Sequence, residues 1–337
     1  MTIATRKFGE FKGKRVDAFT LTSDTGVEVE IIGYGVVVRD WKVPVGGGAP
    51  RSVVLGFDNF ADYPAHSPHF GSLAGRVANR ISGGEFDLDG QRYRLPTNEA
   101  GATLHGGPEG LGMQVWEGEP DSTGNAVRFR HFSPDGAMGF PGNVEFFATY
   151  RLSGNKLALD LTAMPDRRTP IAVVQHQYFN LGTGDDVLDH RLTLNASARS
   201  EVGADLVPTG AILPVTGSVY DFRQGRTLRD NDGKPVDYDL NLVLATGRDL
   251  ADPVATVQGP GSELTLKLWT DQPAVQLYNG VWTNVAVPGL GGKRYGKHSG
   301  LCLEDQMYPD ALHQAHFPSI IHSPETPYSH RLAIEIA

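Results

Sequence analysis

Residues 144–161 have the sequence Val144-Glu-Phe146-Phe-Ala148-Thr-Tyr150-Arg-Leu-Ser153-Gly154-Asn155-Lys-Leu157-Ala-Leu159-Asp-Leu161. Apolar side chains occupy every second position on both sides of a Ser-Gly-Asn segment. This alternation is typical of strands with one buried face, and Ser-Gly-Asn is typical of turns. The stretch therefore predicts two strands separated by a turn.

The same alternation recurs along the chain. Further examples are Val27/Val29/Ile31, Leu264/Leu266/Leu268 and Leu332/Ile334/Ile336. No helical period of 3.6 residues persists for three turns, and 41 glycines with 22 prolines leave little room for long helices. The pattern predicts an all-β protein, built as a large antiparallel β-sandwich without linkers or repeats.

Composition restricts the class of protein further. The 337 residues are 40% hydrophobic and 20% charged, with a formal charge of -9, which is ordinary for a globular protein with a large core. No basic run suits nucleic acid, and no stretch of eighteen apolar residues suits a membrane span. The N-terminus lacks the apolar core of a signal peptide, and Cys302 is the sole cysteine, so no internal disulfide can form. We therefore expect a cytoplasmic protein.

Two acidic residues directly follow a short apolar run near the C-terminus. Leu301, Cys302 and Leu303 are typical of a buried strand, and Glu304 and Asp305 come next. The ordinary explanation is that the strand ends in solvent at this point. A buried carboxylate would cost several kcal/mol unless it were paired, so burial of Glu304 would indicate a function.

Two histidines and two arginines stand in distinctive surroundings. His105 precedes two glycines, but the chain has no Gly-x-Ser-x-Gly motif, which excludes a serine hydrolase of the lipase type. His176 ends an apolar run and has aromatic neighbours, which could lower the local dielectric. Arg76 and Arg80 could bind ligand hydroxyls or carboxylates, or they could be ordinary surface residues.

Two other patterns are rejected as sites. Residues 291–298 nearly match a phosphate-binding loop, but His298 replaces the Ser or Thr and an apolar strand follows. The pairs His66/His69 and His313/His316 have spacings that a metal could use, but no carboxylate or cysteine partner is evident nearby in sequence. We expect neither nucleotide nor metal.

Taken together, the motifs resemble the aldose 1-epimerase (galactose mutarotase) family. Four ordered motifs carry the resemblance, and they are Gly75-Arg76-Val77-Ala78-Asn79-Arg80-Ile81, Leu104-His105-Gly106-Gly107, His176-Gln177-Tyr178-Phe179-Asn180-Leu181 and Cys302-Leu303-Glu304-Asp305-Gln306. The resemblance implies a β-sandwich of the galactose mutarotase type, forming one domain over residues 1–337. It also implies an open sugar-binding cleft and no cofactor.

The resemblance assigns roles to individual residues. Glu304 is expected to be the general base and His176 the general acid. The expected substrate-binding residues are Arg76, Asn79, His105, Asp239 and Tyr278. The expected substrate is a free aldose such as galactose or glucose, and the expected state is a monomer or homodimer.

Two alternative functions stay open at this point. A hexose-6-phosphate 1-epimerase would need a cluster of Arg or Lys for the phosphate. A non-catalytic sugar-binding sandwich would not need both Glu304 and His176. The departures from the family pattern include Gln175, Leu240 and Asn279, and we expect these three to alter the rim of the cleft.

Overall fold

The computed structural model describes residues 3–262 and 264–337, so Met1 and Thr2 of the N-terminal stretch and Glu263 lie outside the described residues. The first ten strands are β1 Ile3–Phe11, β2 Lys14–Thr22, β3 Glu28–Ile32, β4 Val37–Val43, β5 Arg51–Ser52, β6 Ser72–Ala74, β7 Arg80–Ile81, β8 Glu85–Leu88, β9 Gln91–Arg94 and β10 Thr103–Leu104. The next ten are β11 Glu117–Asp121, β12 Ala126–Ser133, β13 Val144–Ser153, β14 Lys156–Pro165, β15 Thr169–Pro170, β16 Val174–His176, β17 Arg191–Leu194, β18 Ala196–Val202, β19 Pro208–Pro214 and β20 Arg226–Thr227. The last seven are β21 Asp239–Leu244, β22 Ala255–Gln258, β23 Thr265–Thr270, β24 Ala274–Tyr278, β25 Cys302–Gln306, β26 Ile321–His322 and β27 Tyr328–Ile336.

Helices are short and few in the part of the chain that the structure describes. The α-helix α1 spans Asp62–His66. The 3-10 turns are Ser82–Gly84, Leu111–Met113, Ala137–Gly139, Pro260–Ser262 and Leu290–Gly292. The prediction of an all-β protein is confirmed. Across residues 3–262 and 264–337, no helix has the length and apolar character needed to cross a bilayer.

Three large sheets contain most of the strands. One sheet has the order β1-β2-β3-β4-β5, and a nine-stranded sheet has the order β11-β12-β13-β14-β27-β23-β22-β17-β20. The third sheet has the order β19-β18-β21-β24-β25. One hydrophobic cluster contains buried residues from all three sheets, among them Trp41, Tyr150 and Leu242. The sheets therefore enclose a common core.

The segment 144–161 lies in a β-hairpin of the nine-stranded sheet. β13 and β14 pair antiparallel from Val144↔Pro165 to Ser153↔Lys156, and Gly154 in the turn has a φ of 54°. That left-handed conformation has little steric cost for glycine. The alternating apolar side chains are buried, which confirms the prediction of two strands and a turn.

The C-terminal carboxylates do not mark a solvent-exposed strand end. β25 is the edge strand of the third sheet, yet all five of its residues are buried, Cys302 and Glu304 among them. Glu304 is only 2% exposed. Asp305 faces the opposite side of the strand, where His330 Nε2 donates to its Oδ2 at 2.6 Å. The ordinary explanation for Glu304 is therefore wrong.

Candidate active site

Three adjacent strands, β21, β24 and β25, form the floor of the site. Their antiparallel register places Asp239 opposite Tyr278 and Gln276 opposite Glu304. Since side chains alternate along a strand, these four share one face while Leu240, Leu277 and Leu303 enter the core on the other. Gln276 Nε2 donates to Asp239 Oδ1 at 2.6 Å, which fixes the carboxylate.

His176 lies against this floor at the end of β16. Its Nε2 is 3.5 Å from Glu304 Oε1, and both side chains are almost fully buried. The imidazole stacks on the Tyr178 ring with 5.0 Å between ring centroids. The amide of Gly71 donates to the carbonyl of His176 at 2.8 Å, which holds the backbone in place.

A short pair of strands, β7 and β10, provides the third wall. Asn79 precedes β7 and His105 follows β10, and both have a left-handed φ, of 58° and 52°. The two residues bond reciprocally. The amide of His105 donates to the Asn79 carbonyl at 2.9 Å, and the amide of Asn79 donates to His105 Nδ1 at 3.2 Å. Arg80 Nε donates to Glu99 Oε2 at 2.6 Å, and its guanidinium is 4.0 Å from Asp239.

These walls enclose an open cleft of about 190 Å³. The residues that line it are Pro68, His69, Asn79, Arg80, Glu99, Leu104, His105, His176, Tyr178, Asp239, Gln276, Tyr278, Trp282 and Glu304. Aromatic rings combined with convergent polar groups are typical of a small-molecule site. Of the seven expected site residues, the cleft brings together six: Asn79, His105, His176, Asp239, Tyr278 and Glu304.

Burial changes the ionisation of the groups on the floor and wall. Desolvation raises the pKa of Glu304 well above its ordinary value, and the nearby Asp239 carboxylate raises it further. Desolvation likewise raises the pKa of Asp239, which the Arg80 guanidinium opposes. Desolvation lowers the pKa of His176 and of His105 well below the ordinary value for an imidazole. Such opposed shifts in neighbouring groups are typical of acid–base sites.

One cluster at this site could in principle hold a metal ion. The ligand atoms of His105, His176 and Glu304 all lie within 4.8 Å of one another. However, His105 Nδ1 accepts a hydrogen bond from the Asn79 amide, so the proton of the neutral ring belongs on Nε2. A metal-binding histidine usually donates from its second nitrogen instead. This geometry favours a His105 that donates from Nε2 over one that binds a cation there.

The assignment of Arg76 to the substrate needs correction. Its guanidinium is buried outside the cleft, where it donates to the carbonyls of Pro141 and Gly142 and to Ser133 Oγ, at 2.9, 3.1 and 2.7 Å. It also lies over the Phe140 ring. Arg80, four residues later, is the arginine that faces the cleft.

The three departures from the family pattern are not at the rim of the cleft, which corrects that expectation. Leu240 follows Asp239 and so faces the core. Asn279 is buried and bonds to the backbone of Tyr238 and Val236. Gln175 is buried beside Tyr150, to whose hydroxyl it donates.

Several residues of the cleft were not predicted as site residues. Gln276 had a signal, since it is a polar side chain within the apolar run of β24, two residues before Tyr278. Arg80 stood in the same motif as Arg76. Trp282 and His69 reach the cleft from loops. No local pattern distinguished Trp282, and His69 stood out only through its spacing from His66, which was rejected as a metal pair.

Comparison with known proteins identifies the family of the chain. Residues 17–335 match the family model described as aldose 1-epimerase. The chain is 38% identical to galactose mutarotase of Rattus norvegicus over 331 residues, which covers 96% of this chain and 95% of the rat protein. The solved aldose epimerase homologue from C. elegans superposes with a TM-score of 0.89 at 28% identity, covering 94% of this chain and 98% of that one. Galactose 1-epimerase from Lactobacillus acidophilus superposes with a TM-score of 0.84 at 25% identity, covering 100% and 98%. The protein belongs to the aldose 1-epimerase family.

Proposed function

We propose that the protein is an isomerase that interconverts the α and β anomers of a free aldose by opening and closing the sugar ring. The observation that carries the proposal is the buried pair of Glu304 and His176, 3.5 Å apart, in an open cleft of about 190 Å³. The names of the relatives, galactose mutarotase and galactose 1-epimerase, support it.

Ring opening needs a base at the anomeric hydroxyl and an acid at the ring oxygen. Glu304 takes the hydroxyl proton while protonated His176 gives one to the ring oxygen. Rotation about C1–C2 then presents the other face of the aldehyde, and the reverse transfers close the ring. A raised carboxyl pKa makes Glu304 a stronger base. The lowered pKa of His176 means that its protonated form is the minor one in the free protein and a strong acid once formed, and the Glu304 carboxylate 3.5 Å away is the charge that stabilises this form.

The remaining polar groups of the cleft hold the sugar. His105 offers its Nε2 hydrogen, and Arg80 is held in place by Glu99. The Asp239 carboxylate, fixed by Gln276, accepts hydrogen bonds from sugar hydroxyls. Asn79 and Tyr278 complete the proposed set of substrate-binding residues.

The charges of the cleft disfavour the two alternatives. A sugar phosphate would need free cationic side chains, but Arg80 is the one Arg or Lys among the described residues that line the cleft, and Glu99 already pairs with it. A protein that only binds sugar would gain nothing from burying the Glu304 carboxyl beside an imidazole, because that burial costs free energy.

Polarimetry tests the proposal directly. Freshly dissolved α-galactose and α-glucose should reach their equilibrium rotation much faster with the protein than in buffer alone. Glucose 6-phosphate, tested in the same way, should be accelerated far less. If no free aldose equilibrates faster than in buffer, the proposed function is wrong, and preferential acceleration of the phosphate would favour the alternative.

Three further expectations belong to the same proposal. The protein is one domain over residues 1–337, since the cleft draws on side chains from Pro68 to Glu304. The cytoplasmic location stays a prediction, and so does a monomeric or homodimeric state.

A further inference from the structure

His69 lies in the cleft but has no part in the acid–base pair. Its ring is 4.6 Å from the ring of His105 and 5.8 Å from that of His176, nearly parallel to the latter at 21°. Glu304, His176 and His105 converge within 4.8 Å of one another, and His69 lies outside that group. It therefore faces a part of the cleft beside the reacting centre.

The backbone around His69 is held firmly. The amide of Ser72 donates to the His69 carbonyl at 3.1 Å, and the amide of Gly71 donates to the carbonyl of His176. The Tyr178 hydroxyl donates to the carbonyl of Pro68 at 2.7 Å. His69 itself has a φ of 69°, which is uncommon for a residue with a side chain. Uncommon backbone conformations of this kind cluster at functional sites.

The ring of His69, in contrast, has no hydrogen-bond partner among the described residues. No hydrogen bond among the described residues involves the Nδ1 or Nε2 atom of His69. The residue is half-buried and lines the cleft. Burial lowers the pKa of His69 to about 4, so the ring is neutral at physiological pH. A neutral imidazole offers one donor and one acceptor, which matches a sugar hydroxyl, itself donor and acceptor.

We propose that His69 is a substrate-binding residue that hydrogen-bonds a ring hydroxyl of the aldose away from the anomeric carbon, and that it thereby helps determine which aldoses are accepted. This inference rests on the proposed function. It adds a third imidazole to the site, with a role in specificity rather than in proton transfer.

The test combines variants of His69 with deoxy sugars. His69→Phe keeps a flat ring but removes both hydrogen-bonding atoms, whereas His69→Gln keeps a donor and an acceptor. His66→Gln is the matched control, because His66 is exposed on α1 three residues earlier and does not line the cleft. Each protein is assayed by polarimetry with galactose and with its 2-, 3-, 4- and 6-deoxy derivatives.

With galactose, His69→Phe should lower kcat/KM about five- to tenfold, the effect of losing one neutral hydrogen bond. His69→Gln should recover most of that loss, and His66→Gln should behave like the wild type. For the deoxy sugar that lacks the contacted hydroxyl, wild type and His69→Phe should have the same kcat/KM. If His69→Phe does not fold, His69→Ala replaces it, and its kcat/KM values for galactose and the deoxy sugars are compared with those of the wild type in the same way.

Two outcomes would overturn the inference. One is a His69→Phe protein with wild-type kcat/KM for galactose. The other is a loss of the same factor for galactose and for every deoxy sugar, which would show that the ring only packs against His105 and His176. A wild-type protein without activity on any aldose would instead contradict the proposed function.

Discussion

Single residues at the site owe their chemistry to where the fold buries them. A glutamate in water titrates near its ordinary value and is a weak base at neutral pH. Burial beside Asp239 raises the pKa of Glu304, and burial lowers the pKa of His176. Each shift strengthens its group in the role that ring opening requires. The two side chains serve one proton-transfer event, so their contributions should not be independent.

The first prediction follows from this shared event. Glu304→Gln and His176→Asn should each lower kcat by about 10²–10⁴-fold, because each removes one positioned proton-transfer group. The double variant should lose less than the product of the single losses. Thermal melting should change little, because Gln and Asn keep polar contacts without burying a charge. Polarimetry on fresh α-galactose measures the rates, and near wild-type turnover by Glu304→Gln would remove Glu304 from the mechanism.

The site residues that stand in sequence motifs were predictable from the sequence. Asn79, His105, His176 and Glu304 all stand in motifs and all line the cleft. One motif contains both Arg76 and Arg80, and the assignment of Arg76 to the substrate was wrong because the orientation of the two side chains depends on how the chain turns before β7. His69 stood out in sequence only through its spacing from His66, which was rejected as a metal pair. Its place in the cleft follows from the pairing of β16 with β6, which is remote in sequence.

At the scale of elements, the strands β21, β24 and β25 combine two functions. One face carries the polar side chains of the cleft, and the other face packs into the core. The same principle explains Asp305, which directly follows Glu304. It faces the other side of β25 and bonds to His330 and Thr270, both buried. A slip of one residue in register would exchange Glu304 for Asp305 in the cleft, so the core contacts of β25 also protect the site.

Arg76 also joins separate elements of the fold. Its hydrogen bonds connect the start of the 75–81 motif to the end of β12 and the loop that follows it. Arg76→Ala should lower the free energy of unfolding by about 2–4 kcal/mol, because several buried carbonyls lose their donor. In the folded fraction, kcat/KM should stay within about threefold of wild type, since the side chain does not line the cleft. Denaturant unfolding and polarimetry measure the two quantities.

Arg80→Ala is the matched comparison for that prediction. Arg80 faces the cleft and pairs with Glu99, so its loss should lower kcat/KM strongly. If Arg76→Ala lost turnover while keeping full stability, the structural assignment of Arg76 would be wrong.

Several imidazoles across the described part of the molecule are buried or half-buried. The histidines whose pKa is lowered, mainly by burial, are His69, His105, His131, His176, His190 and His322. Four groups have raised pKa values and so have the opposite effect on how stability depends on pH. They are His313, His330, Asp239 and Glu304. Below pH 6.5 the unfolded chain gains protons at the first set that the folded chain does not. Stability should therefore fall as the pH is lowered from about 6.5 towards 4.

His190 gives the sharpest check of this acid sensitivity. It is 1% exposed, burial lowers its pKa to about 4, and its Nε2 accepts the amide hydrogen of Leu181. Glutamine can accept that hydrogen without titrating. The stability advantage of wild type over His190→Gln should therefore shrink between pH 6.5 and 4.5, by up to about 1.4 kcal/mol per pH unit. Denaturant unfolding at several pH values measures it, and parallel pH profiles would contradict the prediction.

For the fold as a whole, the sequence predicted strands but not their partners. Alternation in Leu157, Leu159 and Leu161 indicates a buried face, and the hairpin with β13 follows from the short turn. Nothing local shows that β14 pairs on its other side with β27, where Leu157 stands opposite Ile334. Pairings between residues so distant in sequence depend on the packing of the entire core, which no short pattern contains.

The buried thiol of Cys302 has one more consequence. It lies on β25, two residues before Glu304, with no exposed surface, and burial raises its pKa well above the ordinary value for a thiol. An alkylating reagent in solution can reach it only when this edge strand separates from its neighbours. The rate of alkylation therefore reports how often the strand that carries Glu304 opens. Since no other cysteine competes for the reagent, the alkylation rate of the native chain measures local unfolding of the strand that carries Glu304.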